Sequence, residues 1–133
     1  MDLLKLSQDP ASELDPVVSL GEFLEMRRRV EEVYASEAVL RYVVSVTSAT
    51  REHGDVYLGA SPRASRMLLA ASRARAAANG RSYCTPDDIK AMALSVLSHR
   101  IIPSASARGV DSAGAAEGIV QEILSSVPVT EAV

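Results

Sequence analysis

The same punctuation occurs twice in the chain, and it dictates a helical fold. Ser61-Pro62 and Thr85-Pro86 each set a hydroxyl residue before a proline. A hydroxyl at a helix N-cap accepts from an orphan backbone N–H, and proline at the first helical position gives up an N–H that has no partner there anyway. The spacing predicts one helix from Ser61-Pro62 through an Ala-rich run to Asn79, stopped by Gly80. A second opens at Thr85-Pro86-Asp87-Asp88 and runs to about Ser98, with both acids on the positive end of its dipole.

The flanks read the same way. Ser19 and Glu22 spell a capping box, and Leu20, Phe23, Leu24, Met26, Val30 and Val33 follow as a helical apolar stripe. Arg27, Arg28 and Arg29 lie mostly outside that stripe and read as a solvated face. Ser36 caps a helix to about His53, with Val39, Leu40, Val43, Val46 and Thr47 on its 3.6 period, and Gly54 ends it. Asp55 to Leu58 is a brief strand or an extended link; Arg81 to Cys84 is a link, and Ile101-Ile102 a short strand. Residues 103–114 form a loop before a fifth helix from about Ala115 to Ser126, closed by Pro128. The apolar stock is Ala, Val and Leu, with Phe23, four tyrosines and no Trp, which suits packed helices better than a β-sandwich. The predicted fold is mainly α: a small bundle of about five helices with one or two short extended segments. Residues 1–18, broken by Pro10 and Pro16, read as a linker-like lead-in, 19–128 as one helical domain, and 129–133 as a tail.

Several functions are excluded by what is missing. Lys5 and Lys90 are the only lysines and neither follows Gly, so there is no Gly-Lys-Ser/Thr step to hold phosphates and magnesium. No apolar strand ends in paired acids. His53, His99 and the single Cys84 lack the paired spacing of a metal site, and Cys84 reads as a small buried filler. No catalytic residue and no metal ligand is expected in this chain. One cysteine permits no internal disulfide, the opening residues are too short and charged for a secretory signal, and no apolar run approaches a membrane span. A cytoplasmic location is expected.

The net charge of −3 is unevenly spread. Between Val56 and Pro86 stand Arg63, Arg66, Arg73, Arg75 and Arg81 and no acid, while both flanks are acidic. A basic middle in an acidic chain points to a local anion site. Gly59-Ala60-Ser61-Pro62-Arg63-Ala64 is the strongest candidate. Gly59 lets the backbone turn, Ser61-Pro62 starts a helix whose dipole favours an anion, and Arg63 sits in the first turn, against its own electrostatics. Helical spacing brings Arg66 and Arg73 toward the same side. Two readings of Arg63 stand side by side: a bound anion, or an ordinary salt bridge to Asp55 or Glu52.

Taken in order, Gly59 to Ala64, then Gly80-Arg81-Ser82-Tyr83-Cys84-Thr85-Pro86-Asp87-Asp88-Ile89-Lys90, then Val96-Leu97-Ser98-His99-Arg100-Ile101, resemble the C-terminal lid of MoxR-type AAA+ ATPases. The likeness spans roughly residues 17–105, and Cys84 stands where that family usually has a β-branched apolar residue. The resemblance implies that Arg63 is the sensor-2 arginine, reaching the terminal phosphate of ATP, with Gly59, Ser61 and Arg66 in support. It implies ATP and Mg held by a separate core, neighbouring subunits of a ring, and client assembly alongside partners bearing a von Willebrand A domain. Two other classes compete. A helical nucleic-acid-binding module would use the Arg63–Arg81 stretch, but its flanks are acidic and no aromatic is interleaved for stacking. A ligand-free helical adaptor would not need Arg63 at all.

Overall fold

The computed structural model describes residues 15–108 and 112–129. The elements run α1 (Leu20–Glu31), α2 (Glu37–Glu52), β1 (Val56–Leu58), α3 (Pro62–Ala78), α4 (Pro86–Leu97), a 3-10 turn (Ser98–Arg100), β2 (Ile102–Pro103), α5 (Ala105–Arg108) and α6 (Ser112–Ser126). The chain is mainly α, as the punctuation predicts. The lead-in expected over 1–18 falls mostly on residues outside the described ones, as does most of the tail.

The starts of α1 to α4 have local causes. Ser19 accepts from the Glu22 N–H at 3.2 Å while Glu22 takes the Ser19 N–H at 2.7 Å. Ser36 accepts from the Val39 N–H at 3.3 Å. α3 ends in a Schellman motif: Gly80, at φ 71°, donates to Ala77, and the Arg81 N–H reaches back to Ala76 at 3.0 Å.

The core is the meeting of α2, α3, α4 and α6. Tyr42, Val46, Leu68, Ile89, Leu97 and Val120 have essentially no exposure. α3 packs most extensively on α4, and α6 lies against both α2 and α4. Two pairings of extended chain close the ends. β1 and β2 are antiparallel, with Val56 opposite Pro103 and Leu58 opposite Ile102. The α1–α2 and α3–α4 links join in parallel: the Tyr34 N–H donates to the Ser82 carbonyl at 2.9 Å, and the Cys84 N–H to the Tyr34 carbonyl at 2.8 Å.

Four expectations change. The apolar stripe forms, but no residue of α1 itself is buried, with Leu20 74 % exposed and Phe23 50 %; its last member, Val33 just past the helix, does join the core. Only the far end of α1 meets the body, where Met26 and Val30 face Ala74, Ala77 and Ala78 of α3. Gly54 does not take the left-handed conformation of a C-terminal glycine, because α2 already ends at His53, whose backbone is extended and whose Nδ1 accepts from the Asp55 N–H at 3.2 Å. The predicted 103–114 loop contains the single turn α5. α6 begins at Ser112 rather than Ala115, since small Ala and Gly residues offer no pattern from which to read a start.

Candidate functional site

The segment 59–66 crosses the last turn of α2 and then becomes α3. Gly59 is held there by close approach. A Cβ at Gly59 would lie 2.7 Å from both the Arg51 Cα and the Thr50 carbonyl oxygen, which are backbone atoms and cannot swing away. Its φ is not in the left-handed region, so it makes no special turn, contrary to the sequence expectation. Ala60, fully buried, is tied through both backbone groups: its N–H donates to Thr50 Oγ1 at 2.9 Å, and its carbonyl accepts from Arg51 Nη1 at 2.8 Å. Thr50 in turn donates to the Thr47 carbonyl at 2.7 Å. Further on, the Thr47 and Ser65 hydroxyls share a hydrogen bond of 2.8 Å.

Ser61 has the extended backbone of an N-cap, but its side chain makes no capping bond. Pro62 at the first helical position and the Ala64 N–H to Ser61 carbonyl bond of 2.8 Å open the helix instead. The capping expected of the Ser61 hydroxyl is therefore not its role.

Arg63 and Arg66 are exposed and, with Pro62, line a shared recess at the start of α3. The salt bridge from Arg63 to Asp55 or Glu52 is not made. Among the described residues, the ion pairs run from Arg27, Arg28, Arg29, Arg41, His53, Arg75 and Arg81, and none includes Arg63 or Arg66.

Arg75 and Arg81 of the basic stretch are engaged elsewhere. Asp88 is completely buried at the start of α4 and forms a hub. Arg81 grips its carboxylate with two bonds of 2.6 Å, Arg75 adds a third, and the Thr85 N–H and hydroxyl each donate to Oδ2 at 2.9 Å. These donors, Arg81 first, hold the Asp88 carboxyl well below the usual carboxylate range against the opposing effect of burial. Sequence reading saw the cap in Thr85-x-x-Asp88 but missed the hub; its arginines lie seven and thirteen residues away, and no local pattern joins them. Arg73 is half-buried and does not line the recess. Of the broad basic stretch, two guanidinium groups are thus both exposed and at the recess, Arg63 and Arg66. Cys84 is buried and its thiol is pushed up by that burial, in keeping with a filler and not a nucleophile.

Comparison with known proteins bears on the family and the fold. A family model described as the AAA lid domain matches residues 48–123. The chain is 38% identical over 133 residues to the uncharacterised protein YeaC of Bacillus subtilis, a match covering 97% of this chain and 40% of that protein. It is 34% identical over 95 residues to the chaperone MoxR1 of Mycobacterium tuberculosis, covering 65% of this chain and 25% of that one. A crystal structure of a Cytophaga hutchinsonii protein, described as an ATPase by inference, superposes with a TM-score of 0.79 at 28% identity, over 97% of this chain and 41% of that chain. The chain spans less than half the length of each of these proteins.

Proposed function

Since this chain belongs to the AAA lid domain family and is a lid of the MoxR type, we propose that it senses nucleotide for an ATPase core through Arg63. The observation that carries the reading is the pair Arg63 and Arg66: exposed, without an ion pair, and side by side at a helix N-terminus, while Arg75 and Arg81 are tied to a buried acid. Cations at that end of a helix are mildly unfavourable for the fold, so an anion is the natural complement. ATP held by a separate core, with its Mg, supplies the charge.

Arg63 donates a charge-assisted hydrogen bond to the terminal phosphate, worth about 1.5–3 kcal/mol. Arg66, one turn along, adds to the positive field. Because Arg63 has this partner only while the phosphate is there, the contact favours one lid position over another. The body of the bundle carries that bias to a neighbouring subunit of a ring. The chain itself performs no hydrolysis in this reading. The name of the mycobacterial relative supports a chaperone-like task. A von Willebrand A domain protein as co-partner and the cytoplasm as place of action complete the reading as further parts of the proposal.

The test is Arg63→Ala in the full-length protein that carries this lid. Steady-state hydrolysis should fall about 10²-fold, the usual loss when a transition-state charge contact is removed, while thermal melts stay as in the wild type. Arg41→Ala is the control, since Arg41 is exposed and pairs only with Glu37. Arg75 is unsuitable as a control because it holds Asp88. Wild-type hydrolysis in Arg63→Ala, or an unfolded lid, overturns the assignment.

A further inference from the structure

A sensor on a helix start is useful only if the helix start is rigid with respect to the body it must move. α2 meets this need with three residues on one face. Thr47, Thr50 and Arg51 stand at i, i+3 and i+4, so their side chains share one side of the helix. Thr50 and Arg51 fix both backbone groups of Ala60, three residues before Arg63. Thr47 fixes Ser65, two residues after it. The recess-lining arginine is bracketed by pins, and the pins belong to a different helix from its own. Gly59 admits no side chain because the chain must lie flat on α2 for these bonds to form.

We propose that Thr47, Thr50 and Arg51 are the positioning residues of the Arg63 site, locking the start of α3 to α2 so that a displacement of Arg63 moves the bundle and not merely the loop before it. The proposal rests on the sensor reading above. Coupling of this kind travels through hydrogen-bond networks that join rigid elements. Neither threonine touches the recess, and Thr50 is fully buried, so their effect on an anion at Arg63 is indirect. Without the Thr50 hydroxyl, the buried Ala60 N–H loses its acceptor and the α3 start shifts to find another.

Thr50→Val and Thr50→Ser are the paired variants, made in the full-length protein. Valine keeps the shape and deletes both hydrogen bonds; serine keeps the bonds. Steady-state ATPase kinetics should show kcat lowered about 10-fold or more in Thr50→Val, since a displacement of about 1 Å at a reacting centre costs up to about 10²-fold. KM for ATP should change less, because the core makes most nucleotide contacts, and Thr50→Ser should restore kcat. Combined with Arg63→Ala, Thr50→Val should cause no further loss, as expected of residues acting through one another. Ser65→Ala, which removes the second pin from a half-buried position, is the companion if Thr50→Val fails to fold, and it should also lower kcat. If Arg63→Ala is impaired while folded Thr50→Val and Ser65→Ala hydrolyse like wild type, the pins are merely structural and the proposal falls with the sensor intact. An added loss on top of Arg63→Ala equal to that in the wild-type background overturns it too. If Arg63→Ala itself is unimpaired, the sensor reading fails and takes the positioning role with it.

Discussion

Asp88 shows what one residue decides here. Its two guanidinium partners come from the last turn of α3 and from the link after it, so one carboxylate holds the α3–α4 corner together and fixes where α4 starts. Removing one partner of a buried pair leaves the others uncompensated, at a typical cost of 3–5 kcal/mol. Arg75 and Arg81 are 39 % and 26 % exposed, so water relieves part of that loss. Asp88→Asn should therefore cost about 3 kcal/mol, the lower end, measured by thermal or urea unfolding of the variant. The folded-state pKa of Asp88 lies below its ordinary value of 3.8. Its contribution is thus complete above that value and fades as the pH falls through the lower, folded one. Melts of the wild type through this acid range should lose stability that Asp88→Asn never had, so the two curves converge on acidification. Parallel curves would mean the hub is not what acid titrates.

At the scale of elements, the glycines separate two kinds of necessity. Gly59→Ala forces a Cβ against α2 backbone and should destabilise by about 1–3 kcal/mol, the cost of overpacking. Gly54→Ala meets open space at an ordinary φ and should be neutral or stabilise by about 0.4–1 kcal/mol. Equal melting temperatures for the two variants would contradict the close approach of the chain to α2. The starts of α1 to α4 are legible in the sequence because their causes are local: Ser19 with Glu22, Ser36, Pro62 and Thr85-Pro86 act within four residues. The place of Arg63 in the first turn of α3, a cation set against its helix dipole, is legible for the same reason. What escaped were facts of tertiary contact. The outward stripe of α1, from Leu20 to Leu24, has helical spacing identical to a buried one, and spacing does not say what covers a face. The role of Gly59 depends on Arg51 and Thr50, eight and nine residues earlier, and the pinning of Ala60 by the same pair has no signature in either segment.

For the whole molecule, the question is how much of a nucleotide this chain can hold unaided. Its exposed, unpaired cations at the recess are Arg63 and Arg66. Two charge-assisted contacts at about 1.5–3 kcal/mol each give a gross attraction of about 3–6 kcal/mol. A dissociation constant of 1 mM corresponds to about 4 kcal/mol net, and association costs at least about 4 kcal/mol in lost translational and rotational freedom before any gain appears. The attraction and the cost cancel, so the affinity of the chain alone is weaker than millimolar. Even at a dissociation constant of 1 mM, 1 mM ATP would stabilise by only about 0.4 kcal/mol, a rise of roughly 1–3 °C for a domain of this size. The expected result is smaller still: with 1 mM ATP and magnesium, the melting temperature of the isolated chain stays unchanged within error, and no phosphate is released. Joined to the ATPase core proposed above, the same chain should melt higher with ATP than without, and Arg63→Ala should shrink that difference. A rise above about 3 °C in the isolated chain that disappears in Arg63→Ala would mean that the lid binds nucleotide by itself, and the division of labour between lid and core would have to be redrawn.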